Sequence, residues 1–334
     1  MKIAPLLLLL GGCSMTLAEA DWPTALPEGA CTVTVTRQDA TGEWDLLRFY
    51  DEHGRVLGAT TRLAYHGRGR ELFEYDAAGR LVRIRSFDER DAEDFPCDAE
   101  GGCYTPPSRE VVETTFEYDE AGRRTARTRE DRRYLLDDGV YRRRRYEAYA
   151  TRWERDGERL RAIHDGMGTT RFRWEDGRVV RIDREAHYPR HTTVEHDAEG
   201  RVARTRYETC TPEEECRVTA VTTFHYDDDG RLRRIEVVDP TGESPPGSTA
   251  WEYEGARLVR QTNDDGVRTH VLEYAYDASG RMLQVVEDGH LRERWRYEGR
   301  CGAVRSAPST PTASRELGLD ACASSPGYVL GCEG

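Results

Sequence analysis

Residues 276–282 read Tyr-Asp-Ala-Ser-Gly-Arg-Met, and this stretch decides the fold because close copies of it recur along the chain. Clear copies begin at Tyr75, Tyr118 and Tyr226, and altered copies extend the series to a spacing of ~25 residues. Asp-x-x-Gly is typical of a tight turn, because the aspartate side chain bonds turn amides and the glycine takes a positive φ. The turn residues predicted in this way are Asp76, Gly79, Asp119, Gly122, Asp227, Gly230, Asp277 and Gly280.

The residues on either side of these turns favour β-strands. Val112, Thr114, Phe116 and Tyr118 alternate before one turn, and Leu232 opens a similar apolar pattern after another. Such β-branched and aromatic alternation predicts strands with one buried face. Each repeat therefore predicts two antiparallel strands, and about ten repeats predict about twenty strands in one continuous meander.

The recurring motif resembles the repeat of the YD-repeat, or Rhs-repeat, family, whose consensus is close to Tyr-Asp-x-x-Gly-Arg-Leu. The resemblance covers about residues 45–300. It implies an all-β protein, since members of that family build long sheets that wind into hollow shells. Ten repeats look too few to close such a shell. We therefore expect an open, curved or spiralling antiparallel sheet, a partial Rhs-like shell.

The first residues predict export. Lys2 precedes a short apolar run, and residues 10–13 read Leu-Gly-Gly-Cys, which resembles the bacterial lipobox. This resemblance implies a signal peptide over residues 1–12, acylation of Cys13, and a tether over residues 13–30. Ser14 after the cysteine implies the outer membrane. The alternative is a plainly secreted or periplasmic protein, cleaved after residue 20.

The cysteine count agrees with export. Nine cysteines become eight once Cys13 is acylated, and an oxidising compartment favours disulfides. Two candidate pairs are local, Cys97 with Cys103 and Cys210 with Cys216. The other four leave three connectivities open, and they are Cys31, Cys301, Cys322 and Cys332. Zinc is the alternative, but five-residue spacers are wide and hold no histidine. We therefore expect no metal and no cofactor.

The rest of the chain is divided by composition. Residues 31–301 form the predicted repeat domain, and residues 302–334 read as a Ser/Thr/Pro/Ala-rich linker with a cysteine-containing tail. The formal net charge of −13, from 49 basic and 62 acidic side chains, argues against nucleic acid as a partner.

One cationic cluster is the strongest predicted binding surface. It comprises Arg142, Arg143, Arg144, Arg145, Tyr146 and Trp153. Arginine forks and aromatic rings suit an anionic glycan or a surface protein. The alternative is a solvated face with arginines paired to acids across strands.

The functional expectation follows from these features. The chain contains no recognisable catalytic motif, so we predict a non-catalytic binding or scaffolding lipoprotein, held to the membrane by its lipid anchor. The alternatives are an accessory or shell fragment of an Rhs-type toxin or secretion system, a secreted hydrolase with an unrecognised site, and a structural spacer.

The lipobox resemblance generates the first prediction. Cys13→Ala removes the thiol that would be acylated, so the variant should lose incorporation of a labelled fatty acid and leave the membrane fraction. The measurement is metabolic acyl labelling with membrane fractionation of producing cells. Equal labelling of wild type and variant contradicts the predicted anchor.

Overall fold

The computed structural model describes residues 30–39, 42–63, 67–90, 108–137, 140–211, 215–302 and 304. No helix in these ranges is long and apolar enough to cross a membrane. The predicted signal peptide, tether and tail, with Cys13, Cys97, Cys103, Cys322 and Cys332, lie outside the described residues.

The described chain forms twenty strands of one antiparallel sheet, in which sequence neighbours pair in order. Their bounds are β1 Cys31–Asp39, β2 Gly42–Tyr50, β3 Val56–Leu63, β4 Gly67–Tyr75, β5 Leu81–Arg90, β6 Ser108–Tyr118, β7 Arg124–Asp137, β8 Val140–Asp156, β9 Arg159–Asp165, β10 Gly168–Glu175, β11 Arg178–Glu185, β12 Arg190–His196, β13 Val202–Cys210, β14 Cys216–Tyr226, β15 Leu232–Val238, β16 Gly247–Glu254, β17 Arg257–Asp264, β18 Thr269–Tyr276, β19 Met282–Glu287 and β20 His290–Gly299.

The sheet closes on itself, so the expectation of an open sheet is wrong. β1 pairs with β2 on one side and with β20 on the other, from Cys31 opposite Gly299 to Arg37 opposite Glu293. A disulfide joins Cys31 to Cys301 beside this seam, and Arg37 Nε lies 2.7 Å from Glu293 Oε1 across it. The protein is thus a closed twenty-stranded barrel. Closure depends on strand tilt and stagger summed over all strands, which no single repeat displays.

Because the meander alternates in direction, every Tyr-Asp-x-x-Gly-Arg turn lies at the same end of the barrel, here called the Asp-Gly rim. The four turns predicted above share one hydrogen-bond pattern. At Asp76, for example, the Gly79 amide donates to the Asp76 carbonyl and the Asp76 amide donates to the Arg80 carbonyl, both at 2.9 Å. The register then shifts by one residue after Glu74, as expected for a type I turn followed by a bulge.

The aspartate side chain closes each of these turns. Asp277 Oδ1 accepts the amides of Ser279 and Arg281 at 2.9 Å, and Asp277 Oδ2 accepts Arg281 Nε at 2.7 Å. Hydrogen bonds from the Ser279 side chain and the Arg281 amide, together with the Arg281 guanidinium, lower the pKa of the Asp277 carboxyl. The ionised carboxylate is therefore the form that the folded turn stabilises.

Arg123 bonds the Gly157 carbonyl and Glu158 of the next turn, whereas in six other turns the arginine contacts an aromatic ring of the following repeat. In these six turns the guanidinium carbon lies 4.7 to 6.0 Å from the ring centre of the next motif tyrosine. The pairs are Arg55 with Tyr75, Arg80 with Tyr118, Arg201 with Tyr226, Arg231 with Tyr253, Arg257 with Tyr276, and Arg281 with Tyr297. Cation–π contact thus links neighbouring turns around the rim.

The same tyrosines satisfy backbone carbonyls near the bulges. Each hydroxyl donates, at 2.6 to 3.1 Å, to the carbonyl of the residue that follows the arginine of the preceding turn. Tyr276 Oη donates to the Leu258 carbonyl at 2.6 Å, and Trp174 Nε1 likewise donates to the Leu160 carbonyl. The tyrosine therefore links two neighbouring repeats through a hydrogen bond, which explains why it recurs with the turn.

The core is a belt of apolar side chains on one face of the wall, near the Asp-Gly rim. Four buried clusters make it up, and Val56 and Val202 each contact two of them. Arg124 links the cluster of Phe116 to that of Trp153, because its guanidinium lies 4.3 Å from the Phe116 ring and 5.9 Å from the Trp153 ring. Lateral packing between neighbouring repeats, rather than one compact centre, buries the aromatic residues.

The positive φ of the turn glycines generates a stability prediction. Gly122 has a φ of +79°, and an added Cβ would meet only ordinary contacts with Arg80, at 3.8 Å or more. Gly122→Ala should therefore lower the free energy of unfolding by about 1–2 kcal/mol through backbone strain. Gly302→Ala is the matched control, because its added Cβ meets nothing within 4 Å and its φ lies outside the left-handed region. Urea unfolding followed by tryptophan fluorescence measures both, and equal midpoints would contradict the assigned strain.

The buried tyrosines generate a pH prediction. Burial raises the pKa of Tyr75 and of Tyr276 from 10.0 to about 12. Between these values the unfolded chain loses protons that the folded barrel retains, so stability should fall as pH rises from about 10 towards 12. Urea midpoints measured across this range test the slope. Tyr276→Phe should make the dependence shallower, and an unchanged slope in that variant would rule out the contribution of Tyr276.

Candidate functional site

The longest hairpin of the barrel carries the predicted cationic surface. β7 has 14 residues and β8 has 17, whereas β9 has seven. Of the residues of β8, only 152–156 pair with β9. Among the described residues, the preceding part of β8 has a strand partner on its β7 side alone. We call residues 142–150 the distal β8 segment. It extends past β9 at the end of the barrel opposite the Asp-Gly rim, here called the opposite rim.

The distal β8 segment is exposed on both faces. Residues 142–146 and 148–150 are all exposed, and the Tyr146 and Tyr149 side chains remain 50% and 44% accessible. Closer to the Asp-Gly rim, Thr151 and Trp153 of the same strand are buried and alternate with exposed residues, as a wall strand requires. Both faces of the distal β8 segment are therefore open to solvent, although the segment stays paired with β7.

Trp153 is not part of this surface. It is 5% exposed and packs in an apolar cluster with Leu160 and Phe172, so its inclusion among the binding residues was wrong. Its position on the strand explains the error. It lies two residues before Arg155, close to the Asp-Gly rim, where alternate side chains enter the apolar belt.

The charge of the distal β8 segment is strongly positive for this chain. Four arginines, Arg142 to Arg145, and one acid, Glu147, leave a net charge of +3 in a protein of net charge −13. Arg145 and the Tyr149 hydroxyl both bond Glu147, which lowers the pKa of that carboxyl. Arg143 lies over the Tyr146 ring at 5.9 Å, and Arg142 and Arg144 also interact within the protein.

The pairing across the hairpin concentrates this charge. Arg145 lies opposite Arg133 of β7 in the strand register. Like charges directly opposite each other destabilise a strand pair. The same register also places Glu147 opposite Asp131, but the β8 strand itself carries the net charge of +3. An anion placed along β8 would relieve this repulsion, so the hairpin has the electrostatic character of an anion-binding surface.

A second candidate site, which contains a histidine and two cysteines, lies at the opposite rim. A cleft of about 690 Å³ opens between the β9–β10, β11–β12 and β13–β14 connections, and its lining includes Met167, Glu185, His191, Cys210 and Cys216. Cys210 and Cys216 form a disulfide there. Sequence spacing alone missed the histidine, because His191 is on β12 and enters through strand pairing rather than through the cysteine loop.

Comparisons with known proteins leave the family open. No family model matches the chain, and no curated protein matches it. A solved structure with overall similarity is that of a porin-like protein from Bacteroides uniformis ATCC 8492. That match has a TM-score of 0.36 and 12% identity, and it covers 65% of this chain and 95% of that chain. This likeness is too low to carry over fold or function, and the YD-repeat resemblance stays a prediction.

Proposed function

We propose that this protein is a non-catalytic binding module of the bacterial envelope that captures an extended acidic segment of another envelope protein along the distal β8 segment. The observation that carries the proposal is the combination at residues 142–150 of a one-sided strand, exposure on both faces and a net positive charge.

The backbone of the segment suits an added strand. A strand with one paired side presents amides and carbonyls on its other side, which an extended peptide can bond in register. Natural sheets commonly protect such edges. Among the described residues, β14 also has a one-sided stretch, residues 216–220, but it is shorter than the distal β8 segment. The exposed length of β8 therefore has the character of a docking edge.

The side chains favour an acidic partner. Carboxylates on alternate residues of an added strand would meet the arginines of one β8 face, with charge-assisted hydrogen bonds. Positive charge at an exposed rim also accelerates encounter with an anionic partner. An acidic glycan would use the same arginines and tyrosines but would leave the backbone edge of β8 unused, so we favour the polypeptide.

Two structural features support a self-contained, non-catalytic module. The β1–β20 pairing closes the sheet, whereas a fragment of a larger shell would need a sheet that continues into its neighbour. The pKa values of turn carboxyls such as that of Asp277 are lowered by hydrogen bonds within the turn, so no catalytic role is needed to explain them. Burial raises the pKa of Glu71, which bonds Ser86 at 3.3 Å, but acid–base catalysis generally pairs two tuned groups.

The proposal predicts that a labelled acidic peptide of about nine residues, alternating Glu with Val or Thr, binds the protein with an affinity that weakens as salt rises. Arg143→Gln with Arg145→Gln should weaken binding at least about tenfold, because both charges face the peptide. Arg204→Gln with Arg206→Gln is the matched control, since these arginines occupy exposed alternate positions on β13. Fluorescence anisotropy measures both variants.

Two further probes separate the occupants. The same peptide N-methylated at alternate residues keeps its charge but loses strand pairing, and it should bind at least about tenfold more weakly. Polygalacturonate tests the glycan alternative. Equal binding of the two peptides, or competition by polygalacturonate with no loss on N-methylation, would overturn strand addition. Circular dichroism of each variant confirms that the barrel is intact.

A further inference from the structure

We propose that His191, Cys210 and Cys216 form a redox-controlled site for a thiophilic metal ion, closed as a disulfide and opened by a dithiol reductant. One ring nitrogen of His191 and the two Sγ atoms all lie within 4.8 Å of one another. Two thiolates and one imidazole are the ligand set of zinc sites that keep a fourth position open. Soft sulfur ligands also select Cu⁺.

Strand pairing brings the three residues together. His191 lies opposite Glu208 in the β12–β13 register, and Cys210 follows Glu208 by two residues on the same face. The Cys210 amide also donates to the Pro189 carbonyl at 2.9 Å, which fixes the two strands beside the site. Cys210 lies opposite Cys216 in the next strand pair. The ligand geometry thus rests on three consecutive strands of the wall.

A carboxylate orients the histidine. His191 Nδ1 lies 2.6 Å from Asp183 Oδ1, and Arg181 Nε holds the same carboxylate oxygen at 2.7 Å. An Nδ1–H that donates to a carboxylate leaves Nε2 with its lone pair free to bind a metal. Carboxylate–histidine pairs of this kind commonly support metal ligands and fix their orientation. A purely structural disulfide does not require such a pair.

The disulfide adds little that the hairpin lacks. Residues 210 and 216 are already paired in the strand ladder, and the Thr211 amide donates to the Glu215 carbonyl at 2.9 Å. A loop this short restricts the unfolded chain less than a long loop does, so the cross-link makes only a modest contribution through the unfolded chain. The hairpin can therefore persist when the disulfide is reduced.

Access to the two sulfurs is unequal. Cys210 is 2% exposed, whereas Cys216 is an exposed residue in the cleft of about 690 Å³. A dithiol entering the cleft would attack the Cys216 sulfur, and Cys210 would leave as a thiolate. The second thiol of the reductant then attacks the mixed disulfide and releases Cys216.

The chemistry balances. Two electrons pass from the dithiol to the Cys210–Cys216 bond, the dithiol becomes a disulfide, and its two protons end on the two cysteine sulfurs. A divalent ion then displaces those two protons to solvent and is bound by two thiolates and the His191 nitrogen. The fourth position faces the cleft and is open to water or to an added ligand.

The test uses full-length protein in which Cys13, Cys97, Cys103, Cys322 and Cys332 are replaced by serine. The other remaining cysteines, Cys31 and Cys301, form a disulfide that is buried and that mild reduction should leave intact, which thiol counting verifies. Mild reduction followed by titration with Zn²⁺ alone should give one bound ion per chain by elemental analysis, and Cd²⁺ should produce thiolate charge-transfer absorption. The oxidised protein should show neither.

Single variants assign the ligands. His191→Ala should weaken Zn²⁺ binding at least about tenfold, and Asp183→Asn about tenfold to a hundredfold. His187→Ala is the matched control, because that histidine is exposed in the β11–β12 connection, four residues before His191, and does not line the cleft. Circular dichroism verifies folding of each variant.

Two outcomes overturn the metal site. In one, the reduced protein binds Zn²⁺ no better than the oxidised protein. In the other, His191→Ala and His187→Ala bind it equally. Facile reduction without metal binding would identify a redox disulfide alone and would also refute the proposal.

Discussion

The bond between the aspartate carboxylate and the arginine four residues later is the constraint on which the barrel depends. In one turn, Asp227 Oδ2 accepts Arg231 Nε at 2.9 Å, which holds the guanidinium 5.1 Å from the Tyr253 ring of the next repeat. Tyr253 in turn bonds the Leu232 carbonyl of the first repeat. The arginine of one turn therefore holds the tyrosine of the next repeat, and that tyrosine in return bonds a carbonyl beside the bulge of the first turn. Such mutual support makes the repeats cooperative, as nearest-neighbour coupling does in other repeat architectures.

Closure solves the edge problem that such a chain of hairpins creates. An open sheet of this length would leave two strand edges available for aggregation, and pairing β1 with β20 removes both. The Cys31–Cys301 disulfide joins residues 270 positions apart, so it restricts the unfolded chain far more than a local bridge does. The distal β8 segment is the contrasting case, because its neighbour β9 ends before it. The one-sided stretch of β14, residues 216–220, is shorter and lacks the run of four arginines that distinguishes the distal β8 segment.

The features that the sequence predicted correctly are those determined by residues close together in the chain. The Asp76 to Gly79 turn follows from its own side chains, and the alternation before Tyr118 is local as well. Closure was missed because it sums small tilts over all strands. The proximity of His191 to Cys210 was missed because it depends on the β12–β13 register rather than on spacing along the sequence. Trp153 was misplaced because its burial depends on how far along β8 the wall extends, which is decided by β9.

The same interactions explain why both candidate binding sites lie at the opposite rim rather than at the Asp-Gly rim. At the Asp-Gly rim, the recurring side chains are committed to turns and ties, so a ligand there would compete with the fold. The opposite rim has connections of varied length and holds both the distal β8 segment and the cleft. The β9–β10 turn lies between them. A Cβ placed on Gly166 would be 4.0 Å from Tyr149 Cδ1, while Met167 lines the cleft. Asp165 accepts the Met167 amide at 2.8 Å and pairs with Arg184 of the cleft wall. The β9–β10 turn therefore has the distal β8 segment on one side and the cleft on the other, so a ligand bound at one surface would lie beside the other.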